Sequence, residues 1–343
     1  MRRLALLFCL AALLAAAASG GATAGAAAAG QSWAAPQIKT VVEAGLMGAS
    51  VADFRADQPL TWGELDSTLA LVGGAAPVAS DPSRPVTLRE LDAQLVGAAG
   101  LRAYARDLRV EAASAGLTPR PWLGTETVAR LLGFRVNHLR NAEQLELQLA
   151  QPATRAEAAY SFARLLALPD SDVESAEAAL ESFDFPELTA WQQSVLRRAL
   201  RFVGSPYVWA GTSEKPQQLL GRTLPGGFDC SGFVWRVFKL EPFVGAPELA
   251  TVLKGRTTYD MSGEVPKSAR ISREALQPGD IVFFGTRGPL SKPSEVGHMG
   301  IYVGNGWMVH SSDRGTTLTP MTGWYETRFA WGRSPLVEAG LEY

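Results

Sequence analysis

Residues 227–235 read Gly227-Phe228-Asp229-Cys230-Ser231-Gly232-Phe233-Val234-Trp235. Gly226 and Gly227 break the chain, Asp229 is a helix-capping residue type, and Phe233, Val234, Val237 and Phe238 recur at helical spacing. The pattern predicts a loop that turns into a helix at Cys230. A thiol on that first turn meets free backbone N–H groups and the positive end of the helix dipole, which favours thiolate over thiol. The competing reading is a small buried apolar residue starting a core helix.

The rest of the chain bears on that choice. Of 343 residues two are cysteines, and the other is Cys9. Met1-Arg2-Arg3, the apolar run Leu4 to Leu14 and the small residues up to Gly30 form the pattern of an export leader over residues 1–30, with cleavage expected between Ala18 and Gly30. The apolar run is short for a membrane span, with a retained N-terminal anchor as the alternative reading. Cys9 leaves with the leader, so Cys230 has no disulfide partner in an oxidising compartment, and a leftover cysteine there is either reactive or used between chains. A net charge of −2, with no Lys/Arg stripe interleaved with aromatics, argues against nucleic acid as a partner.

Downstream, Gln277-Pro278-Gly279-Asp280 predicts a turn and Ile281-Val282-Phe283-Phe284 a short apolar strand. His298-Met299-Gly300-Ile301-Tyr302-Val303, a Gly304-Asn305-Gly306 turn and Trp307-Met308-Val309-His310 predict a hairpin carrying two of the chain's three histidines. A thiol nucleophile needs a base, and the base needs a third group to fix its tautomer. Cys230, His298 and His310 supply one residue for each role. A two-residue Asn305-Gly306 loop pairs Gly304 with Trp307 and Ile301 with His310, which puts the two imidazoles on opposite faces. A three-residue Gly304-Asn305-Gly306 loop puts Gly300 opposite His310 and His298 diagonal to it on one face, within reach. The catalytic reading therefore predicts the three-residue loop. Zinc on these three side chains lacks a fourth ligand, so no metal and no cofactor is expected.

Upstream, residues 36–168 carry repeated short helical patterns. Thr61-Trp62-Gly63-Glu64, Thr87-Leu88-Arg89-Glu90 and Thr154-Arg155-Ala156-Glu157 each present the capping-box spacing that opens a helix. Residues 169–188 are acidic and Ser-rich and read as a linker that is partly helical. His138, in a polar loop, reads as a surface residue. Helices first and strands afterwards make an α+β layout.

From Gly204 onward, Gly204-Ser205-Pro206-Tyr207-Val208-Trp209, Phe228-Asp229-Cys230-Ser231-Gly232-Phe233, Leu276 to Phe284 and Gly297 to Gly306 follow in an order that resembles the NlpC-type cell-wall cysteine peptidases, a papain-like group. The resemblance implies a peptidase domain over 189–338 that hydrolyses peptidoglycan stem peptides, commonly between γ-D-glutamyl and the diamino acid. It puts Cys230 on the nucleophile, His298 on the base and His310 on the third polar residue. Tyr207, Asp229 and Ser231 fall on positions that hold the stem's amine and carboxylates. The segment 36–168 resembles degenerate S-layer-homology repeats, an all-α module that grips secondary cell-wall polysaccharide; Arg155 alone matches that family's polymer-holding arginine. Together these imply a secreted or periplasmic, wall-associated enzyme. An amidase or acyltransferase on another exported substrate, or a non-catalytic wall-binding protein, stays open at this point.

Overall fold

The computed structural model describes residues 32–74 and 81–341. The leader expected over residues 1–30 lies outside the described residues. Among them, no helix is long and apolar enough to cross a membrane.

The N-terminal half is helical: α1 Ala35–Glu43, α2 Trp62–Leu71, α3 Leu88–Ala98, α4 Arg102–Ser114, α5 Leu123–Leu131 and α6 Arg155–Leu166. Each of the three threonine signals opens a helix. Thr61 and Glu64 form a reciprocal capping box, the Glu90 carboxylate accepts from the Thr87 N–H at 2.8 Å, and the Thr154 hydroxyl accepts from the Glu157 N–H at 3.1 Å.

The three residues just before those threonines close on each other. The Leu60 N–H donates to Ala153 O, the Ala153 N–H to Val86 O and the Val86 N–H to Leu60 O, each at 2.8 Å. All three residues are fully buried. This three-membered ring of hydrogen bonds joins the three helix starts. The helices that radiate from it spend their first free N–H groups on the neighbouring unit: Trp62 on Arg84 O, Leu88 on Gln151 O and Arg155 on Gln58 O. A capped helix start is thus also the joint between units.

Residues 169–188 differ from an open linker. Asp170–Glu181 forms α7, which buries Ala176 and Leu180, and Phe183 then packs edge-on against Trp307 with centroids 5.0 Å apart. The apolar residues of this acidic stretch tie it to the strands that follow.

The C-terminal half begins with α8, Ala190–Leu200, and α9, Cys230–Phe238. Its sheet has strands β1 Ile281–Gly285, β2 Val296–Gly304, β3 Trp307–Ser312, β4 Gly315–Pro320 and β5 Phe329–Arg333, in spatial order β4-β3-β2-β1-β5, with every neighbour antiparallel. α9 packs its apolar face on β2 and β3, and the Ser311 hydroxyl on β3 donates to Phe228 O at 2.7 Å, just before the helix starts. This helix-on-antiparallel-sheet arrangement is α+β, in keeping with the sequence reading.

Candidate active site

The Cys230 helix starts as its sequence dictates. Asp229 is the N-cap and its Oδ1 accepts from the Gly232 N–H. Gly232 is required by a close approach: a Cβ there would lie 1.9 Å from Gly211 O. Cys230 is the free cysteine of the described residues, 9% exposed, with Sγ 3.7 Å from the Thr258 hydroxyl.

The hairpin corrects the loop expectation and keeps its consequence. Gly304 pairs directly with Trp307, leaving the two-residue Asn305-Gly306 turn with φ of 46° and 79°. The register nevertheless shifts between Tyr302 and Gly304, so Tyr302 pairs Met308 and Ile301 pairs Val309. One bulged residue supplies the offset that the sequence reading had assigned to a longer loop. Gly300 then faces His310 closely enough that a Cβ on it would sit 2.9 Å from the His310 Cβ.

The two imidazoles therefore meet on one face. His298 Nε2 lies 2.8 Å from His310 Nδ1, and the rings are nearly perpendicular at 85°. His310, 1% exposed, continues the line through Nε2 to the Thr319 hydroxyl at 3.0 Å. Thr319 pairs Met308 on β3, which makes it the diagonal neighbour of His310. The hydrogen-bond order constrains the tautomers. If Nδ1 of His298 is to accept a proton from a thiol, its Nε2 must carry hydrogen and donate to His310 Nδ1. His310 then holds its proton on Nε2 and donates to Thr319. Phe284, Trp324 and Tyr325 enclose the pair, with ring centroids 5.9, 6.3 and 6.0 Å from His298.

Charge states in this enclosure differ from the thiolate expected at a helix start. Burial first, and the Asp229 carboxylate second, push the Cys230 thiol up to about 11. The Thr258 hydroxyl and the backbone N–H groups of Ser231 and Met299 act in the opposite direction without overcoming burial. Burial pulls His298 down to about 4 and His310 well below the ordinary histidine range. Burial thus favours the neutral thiol and the neutral imidazoles.

Cys230, His298 and His310 line one cleft of about 700 Å³, together with Tyr207. Asp229 and Ser231 do not line it. Asp229 Oδ2 accepts from the Ala210 N–H at 3.0 Å, and the Ser231 hydroxyl donates to Asp229 Oδ1 at 3.0 Å and accepts from Arg256 at 2.7 Å. The polar atoms expected at the substrate are spent on holding the helix start. Arg155 is likewise internal: it is 9% exposed, paired with Glu64, and donates to Phe54 O at 2.6 Å.

The far wall of the cleft comes from the helical half. Asn137 brackets Tyr207 with two bonds, its Oδ1 accepting from the Tyr207 N–H at 2.7 Å and its amide donating to Tyr207 O at 3.2 Å. Glu143 accepts from the Trp209 N–H at 2.6 Å. His138, expected on the surface, is buried on this wall, edge-on to Trp33 and with Nε2 3.4 Å from Glu157. The surface reading fails because its loop is sandwiched between two halves. Arg130, 1% exposed, reaches across the seam to Gly204 O and Arg314 O. Sequence reasoning missed Asn137, Glu143, Thr319 and Tyr325; only Thr319, on a strand beside His310, had a local signal that strand alternation could have revealed.

Residues 204–333 match the NlpC/P60 family and form an NlpC/P60 domain. The chain is 31% identical over 144 residues to the bifunctional muramidase/DL-endopeptidase CwlT of Bacillus subtilis, covering 41% of this chain and 36% of that protein. It is 32% identical over 123 residues to the murein DD-endopeptidase MepH of Escherichia coli, covering 36% of this chain and 37% of that one. The match thus spans little more than a third of either relative. An NlpC/P60 family protein from Bacillus cereus aligns structurally at a TM-score of 0.32 and 26% identity, over 45% of this chain and 43% of that one.

Proposed function

We propose that the chain is an exported cysteine endopeptidase that hydrolyses stem-peptide bonds of peptidoglycan, the γ-D-glutamyl–diamino acid bond being the preferred candidate. The observation that carries this is the unbroken line from Thr319 through His310 to His298, ending in the cleft that holds the Cys230 thiol. Two relatives with endopeptidase names support the same class, and their names differ in the bond type, so the bond itself is part of the proposal.

In this reading the thiol attacks the scissile carbonyl carbon as its proton passes to Nδ1 of His298. The Cys230 N–H at the helix start holds the developing oxyanion. The tetrahedral intermediate collapses to a thioester while His298 returns the proton to the leaving amine. Water then gives a proton to His298 and its oxygen to the acyl carbon, releasing the carboxylate and restoring the thiol.

The experiment is digestion of purified peptidoglycan by the wild-type chain and by Cys230→Ala, with fragments identified by mass spectrometry. New stem fragments from the wild type alone are expected. None from a folded, thiol-reactive protein rejects the reading. For the helical half, the closed ring at Leu60, Val86 and Ala153 supports a repeat module of the S-layer-homology kind. Recognition of wall polysaccharide by Arg155 requires the Arg155–Glu64 pair to open, and unchanged retention of Arg155→Ala protein on cell walls removes that residue from the proposal.

A further inference from the structure

Among the described residues, the helical wall of the cleft presents a cation, Arg140, that has no ion-pair or side-chain hydrogen-bond partner. Arg140 is exposed and lines the cleft that holds Cys230. Its guanidinium carbon lies 4.8 Å from the centroid of the Trp209 ring. Among the described residues, no carboxylate lies within ion-pair reach of Arg140 and no neighbour accepts from its side chain. The other cleft arginines are spent: Arg130 on Glu126, Gly204 O and Arg314 O, and Arg314 on the carbonyls of Arg130 and Leu131.

The arginine is also held in place. Its carbonyl accepts from Arg222 at 3.2 Å, and the Asn137 and Glu143 bonds to Tyr207 and Trp209 fix the segment on both sides of it. An aromatic face under a guanidinium orients the plane while leaving the forked N–H edge free for a planar anion. A carboxylate accepts two parallel bonds from that edge, whereas a carboxamide accepts one and presents an N–H₂ donor to the other.

We infer that Arg140 is a specificity-determining residue that receives a free carboxylate of the substrate, so that the helical half selects what the catalytic half cuts. This rests on the proposed hydrolysis of stem peptides, which carry free carboxylates beside the scissile bond.

The test uses the full chain and a set of synthetic stem peptides: the parent, and analogues in which each free carboxylate in turn is a carboxamide. For the wild type, kcat/KM is expected to fall about tenfold or more for one analogue, as loss of a charge-assisted bidentate bond implies. Arg140→Gln is expected to lose kcat/KM on the parent by a similar factor, to leave that analogue unaffected, and so to erase the preference. Arg140→Lys, which keeps the charge without the fork, is expected to retain part of it. A wild type that cleaves every peptide alike, or an Arg140→Gln that keeps the full preference, overturns the recognition while leaving the hydrolase reading in place. A wild type that cleaves none of the peptides overturns the hydrolase reading and the recognition with it.

Discussion

Thr319 offers the sharpest test of the proton line. Its hydroxyl is 3.0 Å from His310 Nε2, and His310 Nδ1 is 2.8 Å from His298 Nε2. Thr319→Val keeps the branched shape and removes the acceptor. The His310 N–H then points at a methyl group, and with the ring only 1% exposed no bulk water replaces the partner. Leaving such a donor unpaired costs about 1–3 kcal/mol. His310 escapes part of that cost by moving its proton to Nδ1, which makes His298 Nε2 the acceptor and puts the His298 proton on Nδ1, facing away from the relay. In that tautomer pair His298 cannot act as base towards the thiol.

The hydroxyl's net preference for the productive tautomer is that of an ordinary hydrogen bond, about 0.5–1.5 kcal/mol, so its loss should lower kcat between about two- and tenfold. The loss should fall mainly on kcat, because Thr319 acts through His310, with a smaller change in KM since Thr319 also lines the cleft. Thr319→Ser restores the acceptor and should restore kcat. The assay is steady-state hydrolysis of a stem peptide for the three proteins, with ¹⁵N NMR of the histidines reading the tautomers directly. A Val variant with wild-type kcat and an unchanged histidine spectrum refutes the tautomer argument.

Two further outcomes follow from the same enclosure. Gly300→Ala puts a methyl 2.9 Å from the His310 Cβ and 3.1 Å from Val309 O, so it should displace the ring and abolish most activity while thiol labelling of Cys230 continues. On pH, a histidine held at about 4 in the folded chain against an unfolded value near 6.5 destabilises as pH falls: above 6.5 both states are neutral, and between 6.5 and 4 only the unfolded state takes up the proton. His298 alone should cost at most about 3 kcal/mol across that window, less for its partial exposure, and the acid limb of kcat/KM should lie near 4 and well below 6.5. Urea melts at pH 7 and pH 4.5, with a His298→Gln control losing that part of the pH dependence, check the first; a pH–rate profile checks the second.

What could be read from the sequence were features written within a few residues of each other. The Asp229 cap, the apolar face of the Cys230 helix, the three Thr-x-x-Glu starts and the strand alternation of the hairpin all depend on local spacing. The histidines' shared face was legible as a demand on register, but the device that meets it was not. A bulge between Tyr302 and Gly304 and a longer loop give the same offset, and only strand pairing distinguishes them. The surroundings of Asp229 and Ser231 were hidden for a related reason. The resemblance implies substrate contacts for this carboxylate and hydroxyl, but the bonds they make to Arg256 and Ala210, from segments distant in sequence, could not be read locally. The cap and dipole that favour a thiolate are local, while burial, which favours the thiol, belongs to the whole sheet.

The cleft wall was illegible for the strongest form of that reason. Asn137 reaches a tyrosine 70 residues away, and Glu143 a tryptophan 66 residues away. Polar residues in a loop read as solvated, and His138 was read so. Yet these bonds do more than glue two halves together. Tyr207 and Trp209 flank the turn that precedes the Cys230 helix, and Asn137 completes the backbone pairing of Tyr207 as a neighbouring strand would. Arg130 does the same for Gly204 and for the turn after β3, where His310 sits. A catalytic domain cut out at Thr189 would therefore keep its thiol and both histidines but lose the groups that hold both edges of the cleft. In the proposed function, the working unit is therefore the pair of halves, with the chemistry on one and the recognition surface on the other.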